Sequence, residues 1–444
     1  MMTQLKSEQD DFQSLLERLY QAQSTESNPL QKVRDKAWDH FLELGLPSRK
    51  NEVFRYVKLR NLYSREYLPA QTQAANFSTI SAGALDPYIY PECSQSVLVF
   101  VNGYYQPTLS RTKMVPEKVV IASLNDAMKT YGTLLSNQWA KSIKEETDPF
   151  AALNMALHSS GVFLYIPPKT LCKNPLQILH VVDTKDQNVM MMPRLQVFAG
   201  AHAEADIISS HAVLSGKNYF INQATEVALE ENSRLRYMQS NFHADPDVWH
   251  FDALRANLKR DSSFKTVSAT EGSIGVRNDY RAALIGENAE ALLNGVCMLK
   301  GKQEAHVHVL MDHQAPNCRS MQLYKGALND FSHSSFEGKI LVRQAAQKTE
   351  AFQLNNNLLL SDRANAESKP NLEIFADDVK ASHGATVGQL DKEELFYLKT
   401  RGFSESAAKN LLIYGFCKEV IDLITVPSLL EEITLKAQRY LTKV

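Results

Sequence analysis

The stretch GAHAEADIIS (200–209) is followed by EENSRLRYMQ (230–239), RDSSFKTVSA (260–269), GENAEALLNG (286–295) and APNCRSMQLY (315–324). Each segment sets a polar turn ahead of alternating side chains, the period-2 pattern of a strand with one buried face. With His202, Asn232, Ser262, Asn288 and Asn317 taken as equivalent, the units recur at 30, 30, 26 and 29 residues, and Lys348 and Asp378 extend the series at 31 and 30. A period in this range built from short strands predicts a β-solenoid, whose coils bury their apolar faces only by stacking on one another. Antiparallel hairpins stacked in a sandwich or barrel are the competing architecture, and spacing alone does not separate the two. Persistence past five units favours the solenoid.

Upstream of the repeat, SVLVFVNGYY (96–105), VFLYIPP (162–168) and LQILHVVD (176–183) read as strands, while 125–158 reads as helical. Nearer the start, Phe12, Leu15, Leu16 and Leu19 fall at i, i+3, i+4 and i+7, and Ala37, Phe41 and Leu44 repeat the stripe until Gly45. Two amphipathic helices follow, with a turn over 24–29 and a polar linker near 71–78. Downstream, Asp391 and Glu394 form a capping box ahead of Leu395, Tyr397 and Leu398, and Gly402 ends that helix. Ser404 caps a second helix and Pro427 opens a third, carrying Leu430, Ile433 and Ala437. The predicted division is a helical region at 1–70, a β-helix core at 71–390 with a less regular lead-in to about 190, and a helical region at 391–444.

The 444 residues carry 48 Lys+Arg against 50 Asp+Glu, a net charge of −2 that argues against a general nucleic-acid binder. A hydrophobic content of 44% with 22% charged residues describes a folded chain. The opening MMTQLKSEQDDFQSLLERL shows neither a secretory nor a transit pattern, and no run reaches the ~18 apolar residues of a membrane span. Cys93, Cys172, Cys297, Cys318 and Cys417 are scattered without a C-x-x-C pair, which predicts reduced thiols and a cytoplasmic location.

Nucleotide loops, nucleophile elbows and H-E-x-x-H helices are missing, and Gly272-Ser273-Ile274-Gly275 lacks the third glycine of a dinucleotide fingerprint. His306-Val307-His308 places two imidazoles on one strand face about 6.7 Å apart, with His313 and Cys318 as further ligands. That pattern supports an alternative function, a metal-dependent β-helix enzyme; the plainer reading is the polar face of a repeat strand. Arg49, Lys50, Arg55, Lys58 and Arg60 interleave with Phe54 and Tyr56, and the near-zero net charge favours a solvated face or subunit contact over RNA binding. DDVKASHGATVG (377–388) is the densest cluster of polar and special residues. There His383, flanked by small residues, could ligate iron or shuttle a proton, or simply sit in a tight turn that needs Gly384 and Gly388.

The run NNNLLLSDRANAESKPNLEIFADDVKASHGATVGQLDKEELFYLKTRGFSESAAKNLLIYGFCKEVI (355–421), with SFEGKILV (335–342), AQKTEAFQLNNNLLLS (346–361) and LPSRKNEVFRYVKL (46–59), resembles the SufB/SufD family of iron–sulfur cluster assembly scaffolds, and within it the SufD branch. The resemblance spans about 295–424 together with the N-terminal motif; 70–190 adds nothing recognisable. It implies a mainly β fold, a right-handed parallel β-helix core with N- and C-terminal helical regions. It also implies a non-catalytic scaffold subunit that pairs with SufB and docks the ATPase SufC on its C-terminal helices. A transient iron–sulfur cluster would form at the SufB–SufD interface, this chain binding no nucleotide; the resemblance leaves a reduced flavin undecided.

The family histidine of D-D-V-K-C-S-H-G maps onto His383, which the resemblance makes a cluster-assembly and transient metal residue. Its companion cysteine is Ala381 here, so a thiolate would come from SufB. A SufB-like role for this chain is disfavoured, because Thr349 and Asn355, Asn356 and Asn357 stand where SufB-type chains carry a late cysteine. Phe54 replaces a tryptophan common among relatives, a packing variation. Leu395, Phe396, Leu398, Phe403, Leu411, Leu412, Tyr414 and Phe416 exceed what two short helices bury against a solenoid, so part of this set should face the ATPase. An exposed β-helix edge predicts a homodimer when the chain is isolated.

Overall fold

The computed structural model describes residues 2–24, 29–69, 80–158, 161–185, 187–242 and 247–441. The chain opens with α1 (Met2–Ser24), α2 (Gln31–Leu44) and the single turn α3 (Arg60–Tyr63). Gly45, at φ 66°, ends α2 with its N–H on the Phe41 carbonyl, the stop expected from a residue without a Cβ. The predicted turn over 24–29 falls mainly, and the linker at 71–78 wholly, outside the described residues.

Short strands β1 (Leu68–Pro69), β2 (Val97–Val101), β3 (Tyr104–Tyr105) and β4 (Val120–Ser123) lead into α4 (Leu124–Glu145) and α5 (Pro149–Leu157), the helical interval expected there. The solenoid then winds through β5 (Gly161–Ile166), β6 (Leu176–Asp183), β7 (Val189–Met191), β8 (Arg194–Ala199), β9 (Glu204–Ser215), β10 (Phe220–Leu229) and β11 (Arg234–Asn241). It continues through β12 (Trp249–Leu258), β13 (Ser263–Thr270), β14 (Gly275–Leu284), β15 (Glu290–Leu299) and β16 (Glu304–His313). Its last strands are β17 (Arg319–Leu328), β18 (His333–Val342), β19 (Thr349–Leu359), β20 (Asn365–Ile374) and β21 (Val379–Gly388). Helices α6 (Lys392–Thr400), α7 (Glu405–Ile421) and α8 (Pro427–Leu441) close the described chain.

From β8 onward, even- and odd-numbered strands separate into two sheets. One runs β20-β18-β16-β14-β12-β10-β8-β5-β4, the other β21-β19-β17-β15-β13-β11-β9-β6-β2-β3. From β8 and β9 onward, pairing between successive coils is parallel and nearly residue for residue. This excludes the antiparallel sandwich: sequential strands pass between the sheets, and each pairs with the strand two ahead. The inward rows of both sheets, among them Val197, Val227, Leu254, Leu284, Leu293 and Val342, fill a continuous core.

The turn series has a conformational basis. Lys169, His202, Asn232, Asp261, Asn288, Asn317 and Lys348 all adopt left-handed φ values of 57–60°. Each N–H donates to a carbonyl of the next coil at 2.6–3.1 Å. The third anchor is therefore Asp261 and not Ser262, whose hydroxyl instead donates to the Lys259 carbonyl at 2.6 Å. Asp378 closes the column as an acceptor, without a left-handed φ of its own.

Helical layers cover both outer faces. α5 lies on β10 and β12, whereas α7 crosses β13, β15 and β17 of the opposite sheet. α8 is tied back to the first coils by the Tyr90 hydroxyl, which donates to Glu432 at 2.6 Å, and by the Ser428 N–H, which donates to Glu92 at 3.0 Å. α4 and β4 pack on β5 at the first coil. Among the described residues the last coil has no such cover: neither β20 nor β21 holds a buried residue.

Candidate functional site

The bare last coil carries the segment singled out around His383. The structure makes it a strand and not a turn: 379–388 pairs with β19 throughout, and neither Gly384 nor Gly388 has a positive φ. Register stacks Ala381 on Ala351 and His383 on Gln353, so both continue the inward-facing row of β19. Ala381 packs on the end of the core, while His383 is exposed because nothing stacks beyond it. The contrast along one row is sharp: Ile340 and Val342 are fully buried, but Ile374, stacked on Val342, is 38% exposed. Phe375 at 64% and Val387 at 47% extend this apolar rim beside two unpaired strand edges. An interior surface thus faces outward, with one imidazole set in it.

Past this coil, α6 holds no buried residue and packs on α7. Asp391 caps it by accepting from the Glu393 and Glu394 N–H groups, and Ser404 caps α7 by accepting from Ala407. Of the eight apolar residues expected to meet a partner, Phe396, Phe403 and Leu411 are exposed, at 68%, 44% and 46%. Leu395, Leu398, Leu412, Tyr414 and Phe416 are half-buried, the last under Lys325, whose ammonium lies 4.6 Å from the ring centre. Tyr397, outside that set, adds a 55% exposed ring to the same helix.

The histidine constellation predicted around 306–318 does not assemble. His308 bonds Asp279 at 2.7 Å, and His313 points into the core, where it meets the Ser320 hydroxyl at 2.8 Å. The Cys318 thiol donates to the Gly286 carbonyl, and burial pushes it up to about 11. His306 instead meets Glu304 at 3.4 Å and Ser335 at 2.8 Å, with His333 on the next coil beside it. Burial holds the His306 imidazole below its ordinary value against the pull of Glu304. Sequence reasoning missed Glu304 and His333; their 29-residue offset, one coil length, was the available signal.

The basic motif packs over the same sheet face. Lys58 pairs with Glu304, and Arg60 with Glu8 at 2.9 Å, while Phe54 is buried under the Arg277 guanidinium, 4.1 Å from its ring centre. Two of the five basic residues are therefore spent within the chain. Next to them, Glu146, in the connection between α4 and α5, and Asp279 neutralise Arg255 and Arg281 at 2.7–3.0 Å. Burial raises the Glu146 carboxyl, but the two guanidiniums outweigh it and hold the group at about 2.

The family model for the SUF system FeS cluster assembly SufBD core domain matches residues 181–416, and that for the SufBD protein N-terminal region matches 6–178. An iron–sulfur cluster assembly SufBD family protein of Synechocystis sp. is 30% identical over 413 residues, covering 91% of this chain and 90% of the relative. The iron–sulfur cluster assembly protein SufD of Escherichia coli is 27% identical over 425 residues, 94% and 93% of the two chains. Protein ABCI7, chloroplastic, of Arabidopsis thaliana is 28% identical over 427 residues, 92% and 85% of the two chains. With a parallel solenoid between two helical regions and both family models matched in order, the chain belongs to the SufBD family of iron–sulfur cluster assembly proteins.

Proposed function

We propose that this chain is the SufD-type scaffold subunit of an iron–sulfur cluster assembly complex, non-catalytic itself, working in the cytoplasm. A SufB-like solenoid stacks against its last coil, and a SufC-like ATPase docks on α6 and α7. The observation that carries this reading is the uncovered coil. A strand edge with its apolar inward row exposed is a liability in a finished monomer and an advantage in a subunit. The division into 1–70, 71–390 and 391–444 then acquires roles: a cover for one sheet, the coil that meets the partner, and the helices that meet the ATPase. The exposed Phe396, Phe403 and Leu411 supply the apolar anchors expected of such a docking face.

In this arrangement His383 offers an imidazole lone pair or a proton acceptor to a nascent cluster shared across the junction. Ala381 supplies no thiolate, so sulfur ligation falls to the partner. A residue so exposed supports few native contacts, which makes its removal a clean test. His383→Ala is expected to retain complex formation and ATP hydrolysis while lowering cluster yield in vivo; full yield at wild-type abundance would remove the role. Phe396→Asp is expected to release the ATPase without loss of β-sheet circular dichroism, and unchanged ATPase affinity would reject the docking assignment. Copurification with SufB-like and SufC-like chains checks the assembly as a whole.

A further inference from the structure

On the outer face of the even-numbered sheet, Glu304 and His306 are alternate residues of β16, and His333 pairs directly across from Glu304 on β18. A ligand atom from each lies within 4.8 Å of the other two. Glu304 and His306 are 2% and 3% exposed, so their placement comes from packed, hydrogen-bonded strands and not from mobile loops. The supporting contacts are those of a ligating set. His333 Nε2 donates to Glu367 on β20, which leaves Nδ1 its lone pair, and His306 Nδ1 meets the Ser335 hydroxyl at 2.8 Å. The Tyr56 ring stands edge-on to His333, its centre 6.3 Å away, and closes one side.

We propose that Glu304, His306 and His333 form a binding site for a divalent first-row transition ion of the zinc class, occupied until then by the ammonium group of Lys58. Two imidazoles and a carboxylate suit such an ion, and three protein ligands leave a coordination position open. Lys58 now neutralises Glu304, yet its side chain is half exposed and can swing into solvent. The ion replaces a monovalent cation at a buried carboxylate. Its arrival therefore frees Lys58 and loosens one tie between the N-terminal motif and the solenoid.

The test is Zn²⁺ titration calorimetry on the metal-stripped full-length protein, with Co²⁺ visible spectra as a second readout. The expected result is one tight equivalent. It should weaken at least about 100-fold in His306→Ala and His333→Ala, and remain unchanged in His308→Ala. Lys58→Met should tighten binding several-fold by removing the competing ammonium, a result that needs no buried residue to be altered. Wild-type Zn²⁺ affinity in both His306→Ala and His333→Ala, or weaker binding in Lys58→Met, would overturn the proposal, as would the absence of any stoichiometric binding.

Discussion

Asp252 is a carboxyl group sealed in the solenoid interior, 1% exposed, accepting from the Gln239 amide and from the Tyr280 hydroxyl at 3.3 Å. Burial pushes it up to about 6, against the pull of these two donors. In the unfolded chain an aspartate titrates near ~3.9, so folding takes up a proton between the two values. Stability is then full below about pH 4 and is lost as pH climbs through about 6. Asp252→Asn is expected to flatten that loss and stabilise the protein at pH 7.5 by on the order of 2 kcal/mol, read as a smaller difference between Tm at pH 5 and at pH 7.5. Glu146 has the opposite sign: held at about 2, it stabilises at neutral pH and gives way only as pH falls from ~4 toward that value. Neither carboxyl could be assigned from sequence, because what separates them is tertiary placement: Glu146 is ion-paired with both Arg255 and Arg281, whereas Asp252 is sealed in the interior with only amide and hydroxyl donors in hydrogen-bond contact. The same limit applied to His306 and His308, whose shared face was legible but whose cross-strand neighbours, His333 and Asp279, are fixed by register; Glu304, two residues before His306 on the same strand, was within reach of the alternation.

The coil turns show how an element imposes a conformation on whatever residue falls there. Asn and Asp tolerate left-handed φ, whereas lysine pays about 1 kcal/mol or more for it, yet Lys169 and Lys348 occupy the same column as Asn288 and Asn317. Lys348→Gly is therefore expected to stabilise by up to about 1 kcal/mol, and Asn288→Val to destabilise by about 1–2 kcal/mol, both measurable by thermal melts. Asn288 loses more than its φ preference, because its side-chain amide also donates to Asp261 on the preceding coil at 2.7 Å. The period was readable because every coil needs one such polar residue. Placing the third anchor one residue late at Ser262 followed from two adjacent turn formers that only φ tells apart. The 379–388 segment was open to a turn reading because it is rich in small residues, but pairing with β19 prevailed over composition. Gly384 fits that strand closely, with Leu354 3.1 Å from where its Cβ would stand.

At the scale of the molecule, one end of the stack is covered by α4 and β4 and the other is bare. Amides of β20 and β21 should exchange with deuterated solvent faster than those of β12 to β15, and should become protected when the partner solenoid is added. Equal protection at both positions in the isolated chain would contradict this picture. Self-association through the same end is the expected behaviour when no partner is present, and sedimentation of Val387→Lys against wild type measures it. The solenoid itself was legible because its repeat is local in sequence. The settling of α5 on one sheet and α7 on the other was not, since an amphipathic stripe records that a face is buried and not against what. During synthesis each new coil completes itself on the one before, so the nascent protein always presents a growing face to solvent. Translation of this chain ends its β-structure with that face still open, while α7 and α8 fold back onto strands made earlier. In the proposed assembly, the surface offered to another subunit is thus the kind that every earlier coil offered to its successor, and a second polypeptide would continue by association what the ribosome began by elongation.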